Sequence, residues 1–417
     1  MALVNSTATT VQRTNSSTSD GVKVEETATP NLSPKKIFSF FLFPLAVSVC
    51  SVFGGSAFIY FIVIAILVSF LLYIATLLLI PIFMKKCHIK GFGGRDLNKI
   101  SNAKVPEPLG IVPAMMYLLA VLFLQLVSNS DSLRLLEFNA ALLSIALMTL
   151  LGFVDDMLDL PWRYKLVLPF FASIPILLSY SGSTIIVIPD FLREQMGYSI
   201  NLGYLYHAYM AFLTVFCTNC INIYAGVNGL EAGQSCIMCV FVMIYNLIEI
   251  QKVLSAGDAM LKLTVGSALN QNIFSLLLSF PFLTVSLALL CFNWFPSKLF
   301  VGDTYTYFSG IYFAVASVLG HFSRTALLFF IPQLLNALYS IPQLLGIVYC
   351  PRHRVPRLNK ETGKLEPTPN MTIINLALRI FGPMTEQSLV IVLLLFQVFC
   401  CTLGLLLRYS CLSTLFT

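Results

Sequence analysis

Ten apolar stretches, each close to the length of a membrane crossing, constrain this chain more than any other feature. They lie near residues 57–84, 109–128, 136–154, 165–181, 203–222, 234–250, 273–292, 305–320, 325–347 and 387–408. A helical crossing needs roughly 20 mainly apolar residues. Lipid offers no hydrogen-bond partners, so a crossing must satisfy its own backbone, which here means helices. Charged residues are only 11% of the chain, hydrophobic residues 57%, and mean hydropathy is +0.84. A soluble domain carries about 25% charged residues. The expected fold is therefore an all-α polytopic membrane protein, a bundle of about ten transmembrane helices. No repeat with a period of tens of residues stands out.

Three segments are expected. Residues 1–36 form a polar tail rich in Ser, Thr and Asn, read as disordered. Residues 37–56 are apolar and end near Gly54-Gly55; an eleventh span, a re-entrant piece and an interfacial helix all fit. Residues 57–410 hold the ten spans, with a large polar loop at 348–386. Most of the eleven Cys sit in apolar stretches, where Cys behaves as a small hydrophobe rather than as part of a disulfide framework. That holds for Cys217-x-x-Cys220 and Cys236-x-x-Cys239, although their spacing is also that of metal or redox pairs.

Charge gives the topology. Ten spans place the loops 85–108, 155–164, 223–233, 293–304 and 348–386 on one face, and these carry 15 of the 25 Lys and Arg residues, counting Lys165 at an edge. The opposite face and the C-terminus carry six, and the tail four. The positive-inside rule puts the basic face in the cytosol. The tail is ambiguous. Lys35-Lys36 before an apolar run favours a cytosolic N-terminus, whereas the Asn-x-Ser/Thr triplets at Asn5, Asn15 and Asn31 suit a lumenal one.

The polar residues of interest gather on that same basic face. Asp155 and Asp156 end the third apolar stretch, with Asp159 at i+4 from Asp155 expected on the same helix face, and with Arg163 and Lys165 following. Asn219 and Asn222, three apart, precede the turn Gly226-Val227-Asn228-Gly229-Leu230-Glu231. Phe300-Val301-Gly302-Asp303 opens the eighth stretch, and Arg352-His353-Arg354 lies in the last large loop. Hard oxygen ligands from Asp and Asn suit Mg²⁺, which leaves room for phosphate oxygens. Guanidinium forks suit a diphosphate. Glycine-rich turns let backbone amides approach an anion. Together these point to metal-assisted phosphoryl transfer from a nucleotide-linked donor at a membrane surface.

Each element alone has a plainer explanation. The acidic pair fits a helix end neutralised by Arg163 and Lys165, and the Asn pair fits packing between spans. Asp303 fits a helix cap, and the Arg run fits a cytosolic anchor. A nucleotide-sugar or lipid-sugar transporter would also be polytopic with polar interior groups, but transporters commonly carry paired repeats and a midplane site. A prenyl-diphosphate enzyme, raised by Asp155-Asp156-x-x-Asp159, would need a second such cluster. Coincidence of all four groups on one face favours the transferase.

The chain resembles the polyprenyl-phosphate N-acetylhexosamine-1-phosphate transferases, and within them the eukaryotic branch. The resemblance rests on Gly152 to Asp156, Trp162 to Lys165, Asn219 to Gly233, Phe300 to Thr304, Pro351 to Asn359, Asp96 to Lys99 and Pro106-Glu107, over roughly residues 75–410. It implies a transferase domain with a cytosolic active site in the endoplasmic reticulum membrane. The implied reaction moves GlcNAc-1-phosphate from UDP-GlcNAc to dolichyl phosphate, releasing UMP, with Mg²⁺ as cofactor and tunicamycin as inhibitor. Asn222 and Asp303 would hold the metal, and Asp155, Asp156 and Lys165 would be the catalytic set. Leu97, Glu107, Gly226, Asn228 and Phe300 would frame the uridine; Asn219, Arg352, His353 and Arg354 complete the substrate-binding set. Expected partners are the two substrates and membrane lipid; a homodimer is allowed for, and no nucleic acid is expected. Three departures stand out: Arg95 where a neutral polar residue is expected, Asp159 where Asn is expected, and a short linker between Leu365 and Met371.

Overall fold

The computed structural model describes residues 29–53, 59–99, 104–127, 132–188, 193–255, 259–351 and 353–411. Most of the polar tail and Arg352 lie outside these. Helices stand at all ten apolar stretches: α2 (Ile59–Lys90), α3 (Ile111–Val127), α4 (Ser132–Leu158), α5 (Trp162–Ser179), α6 (Tyr204–Ile223), α7 (Leu230–Ser255), α8 (Ala259–Asn293), α9 (Gly302–Leu319), the pair α10 (Ser323–Phe329) and α11 (Ile331–Leu344), and α13 (Glu386–Leu406). The apolar segment before them is also helical, α1 (Pro34–Val52), with one π turn at Phe38–Leu42. A short helix α12 (Ile373–Phe381) lies in the large polar loop. The fold is not purely helical. Three antiparallel hairpins pair β1 (Gly93–Arg95) with β2 (Lys104–Pro106), β3 (Ile185–Val187) with β4 (Ser199–Asn201), and β5 (Arg357–Leu358) with β6 (Leu365–Glu366).

Among the described residues six helices are long and apolar enough to cross a membrane: α1, α2, α4, α7, the Leu269–Asn293 part of α8, and α13. The α10–α11 pair is bent by 71° and counts as a seventh if it is one span. Helix α3 is apolar but shorter, and α5, α6 and α9 do not meet the measure. The reason is positional for α9, which is enclosed by other helices and buried from Thr304 to Leu319. A helix that meets protein on every side needs no lipid-facing stripe and tolerates Ser, Thr and Tyr. Its hydroxyls return to the preceding turn, as Thr306 Oγ1 donates to the Asp303 carbonyl and Ser309 Oγ to that of Thr306.

Helices α4 and α6 flank α9, α8 packs behind it, and α7 with α13 completes the wall. At the α10–α11 bend, Gln397 Nε2 donates to the Phe329 carbonyl at 2.8 Å, and Gln333 Nε2 bonds both Gln234 and Gln397 at 2.7 Å. The Phe329 carbonyl at the break thus takes its hydrogen from a buried amide on another helix. A second small core joins Tyr224, Val227 and Leu230 to Ile374, Leu378, Leu389 and Leu393. It fastens α12 and the polar loop onto the end of the bundle.

The five basic loops meet at one end. Asn98 Nδ2 donates to the Gly226 carbonyl at 3.0 Å and Phe300 N to the Pro106 carbonyl at 2.9 Å. The start of α1 is at that end too. Asn31 Nδ2 donates to the carbonyls of Trp294 and Pro296, 2.8 Å each, in the loop between α8 and α9. The described chain therefore enters α1 from the basic end, with the Asn31 side-chain amide engaged there.

A cysteine at exposed Ser33 in a Cys350→Ser background is expected to react with a membrane-impermeant maleimide from the same side as native, exposed Cys350. Labelling from the opposite side of sealed vesicles would contradict this entry of the chain.

Candidate active site

The acidic pair closing α4 splits into two different roles. Asp156 turns to the start of α9. Its Oδ1 accepts from the Asp303 N–H at 2.7 Å, and its Oδ2 accepts from the Thr304 N–H at 2.8 Å and the Thr304 hydroxyl at 2.5 Å. A helix start leaves its first N–H groups unpaired and carries a partial positive charge. Asp156 thus caps a neighbouring helix rather than its own. Contact this close needs two glycines. Gly302 has φ +73° and a Cβ there would strike the Asp156 carboxylate; a Cβ on Gly152 would lie 2.7 Å from the Asp303 oxygen and the Thr304 Cα.

Asp155, with its side chain 1% exposed, faces the other way. Its Oδ2 takes the Lys165 ammonium at 2.8 Å and the Tyr307 hydroxyl at 3.3 Å, and its Oδ1 accepts from the Leu160 N–H at 3.0 Å. Lys165 also reaches Asp303 Oδ2 at 3.1 Å, so one ammonium joins two carboxylates. Asp303 is the more open of the two, 28% exposed, and its second oxygen accepts no hydrogen bond among the described residues. Asn219 Nδ2 donates to the Lys165 carbonyl at 3.2 Å and to that of Val215 at 2.9 Å, tying α6 to α5 where Lys165 leaves it. Asn222 is half-buried and its side chain makes no hydrogen bond among the described residues.

One expectation about this segment fails. Asp159 does not share a face with Asp155. The helix ends at Leu158, and Asp159 has φ +52°. The chain must turn towards Pro161 here, and Asn and Asp are the non-glycine residues that best tolerate left-handed backbone. The departure from Asn to Asp therefore respects the local geometry.

Beside this cluster, two loops build a second surface. A Cβ on Gly94 would lie 3.1 Å from Glu107 Oε2 and 3.3 Å from the Phe300 ring, so hairpin β1–β2, Glu107 and Phe300 are neighbours. Burial, then the charge on Asp303, pushes the Glu107 carboxyl above the ordinary range. Leu97 is 48% exposed, while its neighbours Asp96 and Asn98 are buried. Asn228 Nδ2 donates to Asp96 at 2.9 Å, and the Asn228 N–H donates to Glu386 Oε1 at 2.8 Å. Glu231 Oε1 accepts from the Gly226 N–H at 2.9 Å. The glycine turn is thus held by carboxylates from two helix starts, α7 and α13.

The polar loop closes over this surface. A Cβ on Gly226 would lie 2.8 Å from Val355 Cγ1. Arg354 is half-buried with Nη1 enclosed and unbonded, and burial lowers its pKa. His353 is exposed; the Arg352 expectation lies outside the described residues. Sequence reasoning missed Tyr307, Thr304 and Glu386 as site supports. Their roles come from partners more than 145 positions away, which no local pattern encodes.

Among the described residues no three His, Cys, Asp or Glu side chains come together as a metal cage. Mg²⁺ does not require one, since it usually takes one or two protein oxygens with water and phosphate. The free oxygen of Asp303 and the uncommitted Asn222 amide fit that donor set.

Comparison with known proteins agrees with this geometry. Residues 138–321, from α4 to the end of α9, match the model of glycosyl transferase family 4. A relative from Dictyostelium discoideum is 51% identical over 331 residues, covering 76% of this chain and 81% of that protein. Relatives from Schizosaccharomyces pombe and Saccharomyces cerevisiae are 38% and 36% identical over 412 and 410 residues, covering 82% and 81% of this chain and 90% and 89% of theirs. All three are named UDP-N-acetylglucosamine–dolichyl-phosphate N-acetylglucosaminephosphotransferases. The chain belongs to this family. The family match spans Asp155, Asp156, Lys165, Asn219 and Asp303, which are joined between α4, α5, α6 and α9, and it spans Asn222 as well.

Replacing Gly152 by Ala is expected to force α4 from α9, costing about 1–3 kcal/mol as overpacking does. Thermal unfolding in detergent measures it; an unchanged midpoint would show that the contact yields freely.

Proposed function

We propose that this protein transfers GlcNAc-1-phosphate from UDP-GlcNAc to dolichyl phosphate. The products are GlcNAc-diphosphodolichol and UMP, and the step opens lipid-linked oligosaccharide synthesis for N-glycosylation. The observation that carries the reading is the Asp155–Lys165–Asp303 cluster at the basic end of the bundle, in a chain 51% identical to a relative bearing that name. The same reading places the protein in the endoplasmic reticulum membrane with the basic end in the cytosol. It counts all ten predicted helices as crossings with α1 as an eleventh, and it expects inhibition by tunicamycin.

The chain's own residues divide the work. Phe300, Glu107, Leu97 and the Gly226–Asn228 turn form the uridine side, and Arg354 with its enclosed Nη1 faces the diphosphate and sugar, beside His353 and Arg352. Asp303 and Asn222 would hold Mg²⁺, which when bound supplies positive charge to the donor diphosphate. Such charge is needed here. Asp155, Asp156 and Asp303 against Lys165 leave a formal excess of two negative charges (three minus one), which would repel an incoming diphosphate.

Dolichyl phosphate attacks the donor's β-phosphorus in line, its own ionised oxygen forming the new P–O bond while the bond to UMP breaks. The nucleophile needs no general base. Lys165 and the start of α9 keep charge and alignment fixed. A covalent phospho-aspartate is disfavoured because Asp156 already accepts three hydrogen bonds and Asp155 is tied to Lys165, Tyr307 and Leu160. Trapping a sugar-phosphate adduct on either aspartate without acceptor would overturn direct transfer.

Purified protein is expected to release UMP from UDP-GlcNAc only when dolichyl phosphate and Mg²⁺ are both present, and a chelator should stop it reversibly. Asp303→Asn should lower turnover on the order of a hundredfold or more, as loss of a charge-stabilising group does, with thermal midpoint retained. Near-normal turnover in that variant would remove Asp303 from the metal site.

A further inference from the structure

The segment just before α1 forms a strap across the loop that leads into α9. The Asn31 and Leu32 N–H groups donate to the Cys291 carbonyl at 2.7 and 3.1 Å. The Asn31 amide donates to the Trp294 and Pro296 carbonyls, 2.8 Å each. Lys298 Nζ returns to the Thr29 carbonyl at 2.9 Å and its hydroxyl at 3.1 Å. Both amide hydrogens of one side chain are thus spent on two carbonyls of a single loop, more than 260 positions away.

That loop is held from the inside as well. Asn293 Nδ2 donates to the Leu299 carbonyl at 3.2 Å, Asn293 Oδ1 accepts from the Gly229 N–H at 3.1 Å, and Lys99 Nζ donates to the Ser297 carbonyl at 2.7 Å. The loop then runs straight into Phe300, against Glu107 and Gly94, and into Asp303, on Lys165. Without the outer clasp, Trp294 to Pro296 would keep only contacts on their inner side.

We infer that Asn31 is a positioning residue for the donor half of the site, holding the Asn293–Phe300 loop so that Phe300 and Asp303 keep their register. The inference rests on reading those two residues as donor-binding. It gives the N-terminal segment a task beyond adding a crossing: a side chain outside the matched family region supports a loop inside it.

The test uses the full-length chain in detergent or vesicles. Asn31→Asp is nearly isosteric but replaces two N–H donors by oxygens facing two carbonyls. The KM for UDP-GlcNAc is expected to rise on the order of tenfold, the size of one or two lost hydrogen bonds. The KM for dolichyl phosphate should stay within about twofold. Asn31→Gln, which keeps the amide, should recover part of the loss. An unchanged donor KM in Asn31→Asp would overturn the inference, as would equal rises for both substrates together with a lower thermal midpoint. If Asn31→Asp does not fold, Lys298→Met, which removes the return bonds to Thr29, is read by the same split; an unchanged donor KM there overturns it too. Wild-type protein that released no UMP would instead withdraw the reading of the site itself.

Discussion

The carboxylate of Asp156 on the start of α9 is the contact on which the site depends. A helix that begins inside a bundle presents unpaired N–H groups where water is scarce, and each would cost about 1–3 kcal/mol if left unbonded. Asp156 answers two of them and the Thr304 hydroxyl at once. The same contact fixes the depth of α9 relative to α4, because Gly152 and Gly302 let the two backbones close with no side chain between. Everything chemical follows from that register. Asp303 is the second residue of α9 and Asp155 the neighbour of Asp156, so capping one helix with the other brings a second pair of carboxylates within reach of Lys165.

The bundle was largely legible from hydropathy, and the reason is the solvent. Apolar runs bounded by polar loops admit few structures in lipid, and helices stand at every predicted stretch. What hydropathy undervalued was interior position. Helix α9 carries Ser, Thr and Tyr because it touches protein throughout, so its composition reads as weakly membrane-like although it is among the most enclosed elements. The meeting of the basic loops at one end was expected as well, from the alternation of the ten apolar stretches, and contacts between those loops bring them together there.

The acidic cluster was legible as a set of residues and not as a mechanism of support. Asp155, Lys165 and Asp303 were foreseen together, but sequence spacing treated Asp155 and Asp156 as one acidic pair. Adjacent helical residues point about 100° apart, which is enough to send one to a helix cap and the other to an ion pair. Spacing also put Asp159 on the helix face, because periodicity does not announce where a helix stops. The left-handed turn at Asp159 depends on the approach to Pro161 and on the neighbouring helix, not on the i+4 rule. Glu386 was invisible for a similar reason: it reads as an acidic residue in the first turn of α13, but its carboxylate accepts the Asn228 N–H of another loop.

A recurring device explains how loops so rich in glycine keep a fixed shape. The Gly226–Gly229 turn is bonded by Glu231 from the start of α7, Glu386 from the start of α13 and Asn293 from the end of α8. Asp156, from the end of α4, does the same for the start of α9. In each case a side chain on a rigid helix holds backbone N–H groups of a segment that has few side chains of its own to pack. Glycine permits the close approach but loses the most conformational freedom on ordering. Bonds from side chains at helix termini offset that loss. Asn31 extends the device from outside the bundle, placing an amide at the end of α1's lead-in against two carbonyls of the loop before α9. The flexible parts of the site are therefore ordered by the least flexible parts of the fold, and substitution at such a helix terminus should disturb substrate contacts that it never makes itself.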